Sequence, residues 1–105
     1  MLPGDDTGPM DRVELQGELV CSDADQAATV RAHLPRHIAL TRAEPGCMAF
    51  EVRATDDPLV WRVSEMFADA DAFARHQQRV ADSDWGRATR GIERRYQVTG
   101  PGISD

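Results

Sequence analysis

Between Ala43 and Val52 the sequence reads AEPGCMAFEV, and no other stretch restricts the fold as much. Helical spacing of the apolar residues stops there, and strand-like alternation begins within three residues. Glu44 precedes a proline and is pushed out of the α region, Pro45 fixes its own φ, and Gly46 supplies the backbone freedom that a reversal needs. The alternation that follows places Met48, Phe50 and Val52 on one strand face, with Ala49, Glu51 and Arg53 on the other.

A chain of 105 residues can bury one two-layer core and not two. We therefore expect a single domain over residues 11–99, with a flexible leader over 1–10 and a flexible tail over 100–105. The leader holds prolines, glycines and aspartates with little to bury, and Met10 is a second candidate start. Its acids stand where an export signal would carry basic residues, and no apolar run approaches the roughly 18 residues of a membrane span. A cytoplasmic protein without a membrane partner is the expectation. A net charge of −6 argues against a nucleic-acid partner, which would need a basic stripe. All twelve basic residues are arginine. The two cysteines, Cys21 and Cys47, are too few for a disulfide scaffold and lack zinc spacing, so they read as buried free thiols.

From Val13 to Cys21 the alternation is clean and predicts a first strand, with Glu14, Gln16 and Glu18 on its polar face. Ser22 or Asp23 can cap an alanine-rich helix over 25–34 whose stripe continues through Ala27, Val30, Leu34, Ile38 and Thr41. His37 lies within that stripe, His33 lies at its edge, and Pro35 predicts a kink or a break into two short helices. Strands follow over 47–53 and 59–67, joined by a Thr55-Asp56-Asp57-Pro58 turn. The second of these carries Leu59, Trp61, Val63, Glu65 and Phe67 on one face. Asp69 caps a helix over 70–81 that is expected to bury Phe73, Gln77 and Val80, with His76 flanking them. A polar connection over 82–91 leads to a last strand over 92–98, with Ile92, Arg94, Tyr96 and Val98 on one side.

The order βαββαβ with right-handed crossovers gives an α+β, ferredoxin-like fold: a four-stranded antiparallel sheet with both helices on one face. Strands one and two are then not neighbours, which speaks against a Cys21 to Cys47 disulfide. The uncovered face mixes Val20, Ala49, Val60 and Met66 with Glu14, Gln16, Glu18, Arg62, Arg95 and Gln97. Such a face suits a twofold copy of itself, so a homodimer through the sheet is expected.

Three segments then carry a likeness: His37 to Cys47 with its Glu-Pro-Gly-Cys turn, Phe50-Glu51-Val52, and Val63 to Asp69 with Ala72-Phe73-Ala74-Arg75-His76 after it. Together they resemble the antibiotic biosynthesis monooxygenase family over roughly Arg12 to Val98. The resemblance implies a dimeric α+β barrel, back to back through the sheets, with a pocket between sheet and helices in each subunit. Some members of that family oxygenate quinols or polycyclic phenols without metal or flavin, and some degrade heme. The heme-degrading branch uses an asparagine on strand one, a tryptophan at the end of strand three and a histidine on the second helix. Here strand one offers no asparagine and Phe67 holds the tryptophan's place, so only His76 matches and heme degradation is disfavoured.

The expected activity is a cofactor-independent monooxygenase acting on a quinol or polycyclic phenol, the alternative being a non-catalytic dimer that binds or senses a small aromatic ligand. Phe50, Trp61, Glu65, Phe67, Arg94 and Tyr96 are the expected substrate-facing residues of the sheet, with Trp85 as a cap or a dimer contact. His37 or His76 is the expected base, because removing a proton makes the substrate electron-rich enough to reduce dioxygen. Arg94 and Tyr96 would orient the oxyanion, while Glu65 would set the histidine tautomer or pair with Arg94. No cofactor is expected. His33 and His37 are four residues apart, but Pro35 disturbs their spacing and no third ligand is evident, so no metal is assigned.

Overall fold

The computed structural model describes residues 11–101. The leader expected over 1–10 and the tail residues 102–105 lie outside the described residues. Seven elements follow in order: β1 (Val13–Val20), α1 (Ala24–Arg42), β2 (Cys47–Ala54), β3 (Val60–Phe67), α2 (Ala70–Ala81), α3 (Asp84–Ala88) and β4 (Glu93–Thr99). The sheet order is β2-β3-β1-β4 and every neighbouring pair is antiparallel. This is the ferredoxin-like βαββαβ arrangement, with α3 added in the last connection. β1 and β2 are not neighbours, and Cys21 and Cys47 are both free, the first buried and the second half-buried.

Both long helices begin on an aspartate that satisfies an orphan backbone donor. Asp23 accepts from the Gln26 N–H at 2.9 Å, and Asp69 from the Ala72 N–H at 2.8 Å. Val13, Leu15, Leu19, Trp61, Val63 and Phe67 come from one side of the central strands and form the core with Ala27, Val30, Ala72 and Phe73 from the helices. Among the described residues no helix is long and apolar enough to cross a membrane.

Four local expectations are corrected. α1 is a single helix with Pro35 inside it rather than two short ones, because His37 and Thr41 beyond the proline are buried and anchor the second half. Met48 does not share the face of Phe50: a bulge between Cys47 and Ala49 makes it the extra residue, and it is exposed while Cys47 opposes Phe67. On α2 it is His76 that is buried, together with Ala72 and Phe73, whereas Gln77 is exposed. The reason lies in the turn before β2, where Gly46 has φ 89° and a Cβ there would stand 2.6 Å from that of Ala72. The missing side chain lets α2 press down on its Ala72 side and carries His76 inward. Finally, the stretch over 82–91 expected only as a polar connection contains α3, capped by Ser83, whose hydroxyl accepts from the Gly86 N–H at 3.0 Å.

Gly17, at the middle of β1 opposite Tyr96, is needed for close approach rather than for its dihedral. A Cβ there would lie 2.1 Å from the Arg95 carbonyl oxygen and 2.8 Å from Tyr96 Cα. Both are backbone atoms of β4, so the strands would have to part. Gly17→Ala should lower the unfolding free energy by about 2 kcal/mol, the range of an overpacked site, in a urea titration. A midpoint equal to the parent's would show that β4 can shift freely.

Candidate active site

A cavity of about 360 Å³ lies between the inner sheet face and the helices. Strand alternation supplies its floor: Leu15 and Leu19 from β1, Phe50 and Val52 from β2, Val63 and Glu65 from β3, and Arg94 and Tyr96 from β4. His37 of α1, His76 and Val80 of α2 and Trp85 of α3 form the roof, and Arg90 stands on the connection to β4.

The polar centre is a chain of three side chains. His76 Nδ1 lies 2.9 and 3.2 Å from the two carboxylate oxygens of Glu44, and its Nε2 lies 3.7 Å from Glu65 Oε1. Glu44 also accepts from Arg79 Nε, and Arg79 donates onward to Thr41 Oγ1 at 2.9 Å. A carboxylate already paired with a guanidinium can only accept, so the Nδ1–H of neutral His76 points at Glu44 and the Nε2 lone pair is left on the Glu65 side. Burial lowers the His76 pKa, partly offset by Glu44. Glu65 is buried and its Oε1 has no hydrogen-bond partner. Burial, reinforced by the charge of Glu44, pushes the Glu65 pKa up to about 7.

His37 sits differently. Its ring stacks on Trp85 with centroids 4.5 Å apart and planes 5° from parallel, and meets Phe50 edge to face at 5.3 Å. Its Nδ1 is buried without a partner, and burial followed by the nearby His76, Arg79 and Arg94 lowers its pKa to about 3. The stacked pair is a partition, because both rings also line a second cavity of about 390 Å³ on the far side, with His33, Arg36 and Arg87. Tyr96 is pushed up to about 12, chiefly by burial, and stays a neutral donor. Arg94 is turned to its own loop, donating to the carbonyls of Thr89 and Ile92 and to Thr89 Oγ1 at 2.7 to 2.9 Å.

Of the residues expected to form the site, His37, His76, Phe50, Glu65, Trp85, Arg94 and Tyr96 are brought together around one cavity. Trp61 and Phe67 are not. Both belong to the solid core, and Phe67 lies behind His76, with ring centroids 4.8 Å apart, where it supports the imidazole without reaching the cavity. Trp85 is buried within its own chain, which removes the dimer-contact option. Glu65 neither sets the His76 tautomer nor pairs with Arg94: Glu44 does the first, and Arg94 is turned to Thr89 and Ile92. Glu44, Arg79 and Arg90 are the site residues that sequence reasoning missed. Glu44 was visible only as a turn residue, and its partners are 32 and 35 positions away. Among the described residues no three His, Cys, Asp or Glu side chains gather as a metal site.

The sequence model of the antibiotic biosynthesis monooxygenase family matches residues 22–85. No curated protein matches the chain in sequence. Among solved structures, SnoaB from Streptomyces nogalater, a cofactor-independent oxygenase, is similar with a TM-score of 0.71 at 18% identity, covering 90% of this chain and 96% of that one. MupZ from Pseudomonas fluorescens gives 0.73 at 22% identity, over 90% of this chain and 73% of its own. Rv0793 from Mycobacterium tuberculosis gives 0.67 at 19%, over 89% and 97%. At such identities these likenesses establish a shared fold, while the family match spans more than half of the chain. The cavity described above is therefore that of a chain that belongs to the antibiotic biosynthesis monooxygenase family.

Proposed function

We propose that the chain is a cofactor-independent monooxygenase that oxidises a small aromatic substrate, a quinol or polycyclic phenol, with dioxygen. The observation that carries this reading is a cavity walled by Phe50, Trp85 and Tyr96 around a buried cluster of His37, His76 and Glu65. Flat aromatic walls with few polar groups suit a flat substrate, and about 360 Å³ lies in the range of small-molecule sites. The cluster takes the hydroxyl proton, and the anion passes one electron to dioxygen. Radical and superoxide then join in a new C–O bond. Cleavage of the O–O bond leaves one oxygen on the ring as a carbonyl and releases the other as water. The substrate supplies all four electrons, so the balance needs no added reductant. Tyr96, held neutral, donates to the oxyanion, and the Arg90 and Arg94 cations lower its potential.

The same reading includes a homodimer working in the cytoplasm. It is supported by the outer sheet face, where Glu18 lies between Arg62 and Arg95 across the strands and can meet its own copy with opposite charges, and by two thiols left unpaired.

An oxygen electrode tests the activity. The purified chain, treated with chelator and free of flavin, should consume dioxygen with anthrone or a hydroquinone, one molecule per molecule oxidised. Saturable binding of these compounds with no oxygen uptake would replace the oxygenase by a non-catalytic aromatic-binding module.

A further inference from the structure

We propose that Glu65, rather than either histidine, takes the hydroxyl proton of a phenolic ligand, and that Glu44 and His76 are positioning residues for it. The reaction that this transfer serves rests on the oxygenase reading above.

Three observations single out Glu65. It projects from β3, the strand between β1 and β2, into the cavity, and its Oε1 is a buried acceptor with no partner. Native structures rarely leave such an atom unsatisfied, and a ligand hydroxyl would complete it. The histidines are committed elsewhere. His76 gives Nδ1 to Glu44 and has Nε2 on the Glu65 side, at 3.7 Å, while His37 is stacked on Trp85 with no carboxylate to orient it. Lastly, its proton affinity, at about 7, suits acid–base work near neutral pH, whereas that of His37, at about 3, is too weak.

In the step itself the phenol O–H bond breaks, an O–H bond forms on Glu65, and no electron is transferred. One negative charge moves from the carboxylate to the phenoxide, so the low-dielectric cavity holds the same net charge before and after. The new Glu65 O–H can turn to the His76 lone pair, whose tautomer Glu44 fixes. Glu65 is faced by Glu44 from the turn, Cys47 from β2, His76 from α2 and Tyr96 from β4, and shares the cavity wall with His37 from α1 and Arg94 from β4. Of these, Glu44 is the group whose like charge raises the proton affinity of Glu65.

The product side of the transfer can be populated without dioxygen. At about pH 8, where free 4-nitrophenol and Glu65 are both anions, binding under nitrogen should take up close to one proton, because two negative charges would otherwise share the cavity. Calorimetry in two buffers of different ionisation enthalpy counts that proton, and infrared difference spectra should gain a protonated-carboxyl band. Glu65→Gln should abolish both and lower oxygenase turnover about a hundredfold, with loss of the rise in rate through neutral pH. Glu44→Gln should retain uptake but move its midpoint to lower pH, a shift that a merely structural Glu44 would not cause. Failure of the wild type to bind or take up the proton, or undiminished uptake by folded Glu65→Gln protein, overturns the assignment. Uptake without any oxygen consumption removes the oxygenase and leaves Glu65 as acceptor; consumption that Glu65→Gln does not alter does the reverse.

Discussion

Trp85→Ala should lower the unfolding free energy by about 4 kcal/mol, the loss expected when a buried indole is cut to a methyl. The residue is only 7% exposed although it sits on a helix of five residues. What holds it is cap chemistry at both ends: Ser83 begins α3, and the Thr89 N–H and hydroxyl both donate to the Trp85 carbonyl, at 2.9 and 2.7 Å. The indole in turn holds His37 flat against it. Because it lines cavities on both sides, its removal cannot be healed by collapse from one of them, and the spaces of about 360 and 390 Å³ should merge. In a domain of typical stability, about 4 kcal/mol is a quarter or more of the total. The measurement is a urea midpoint at unchanged slope, paired with the affinity for anthrone, which should weaken as the stacked wall is lost. A loss below about 1 kcal/mol would mean that the His37–Trp85 partition is not a packed wall.

The face of each strand was legible because side-chain direction alternates with a period of two, and β1, β3 and β4 left little choice about which side goes in. What covers each part of that face was not legible. Trp61, Glu65 and Phe67 share one face of β3, yet Glu65 meets a cavity while Trp61 and Phe67 meet core, a difference made by the helices above. Helix phase was less certain than strand phase. At 100° per residue His76 and Gln77 compete for the inner side of α2, and Gly46, far away in sequence, decides between them by admitting Ala72. The α3 cap did leave a signal, since Ser83 followed by an acid in the first turn is a helix start. Glu44 left none. Its part in the site exists only once α2 has docked against the turn, and the residues flanking it, chosen for the reversal, disguise it as turn chemistry.

Two buried groups should give the stability of this protein opposing dependences on pH that offset each other where their windows overlap. His37 has its pKa lowered from 6.5 to about 3 on folding, so the unfolded chain binds the extra proton. Its contribution is complete above pH 6.5 and is lost as pH falls toward 3, with a slope of about 1.4 kcal/mol per pH unit. Glu65 is the reverse, raised from 4.5 to about 7, so the folded chain binds the proton. Its contribution is complete below pH 4.5 and is lost as pH rises toward 7, with the same slope and opposite sign. Between pH 4.5 and 6.5 the two cancel. Glu65→Gln should therefore unmask the histidine, so that stability rises with pH across that window, and should gain about 3 kcal/mol on the wild type from acid to neutral pH. His37→Phe, which keeps a ring against Trp85, should tilt the curve the other way, so that over the same window stability falls with pH relative to the wild type, His76 still opposing the carboxyl. Urea midpoints of the three proteins at half-unit pH steps measure this directly. Parallel curves for Glu65→Gln and the wild type would place Glu65 in water, with an ordinary carboxyl, and would withdraw the chemical ground for making it the proton acceptor.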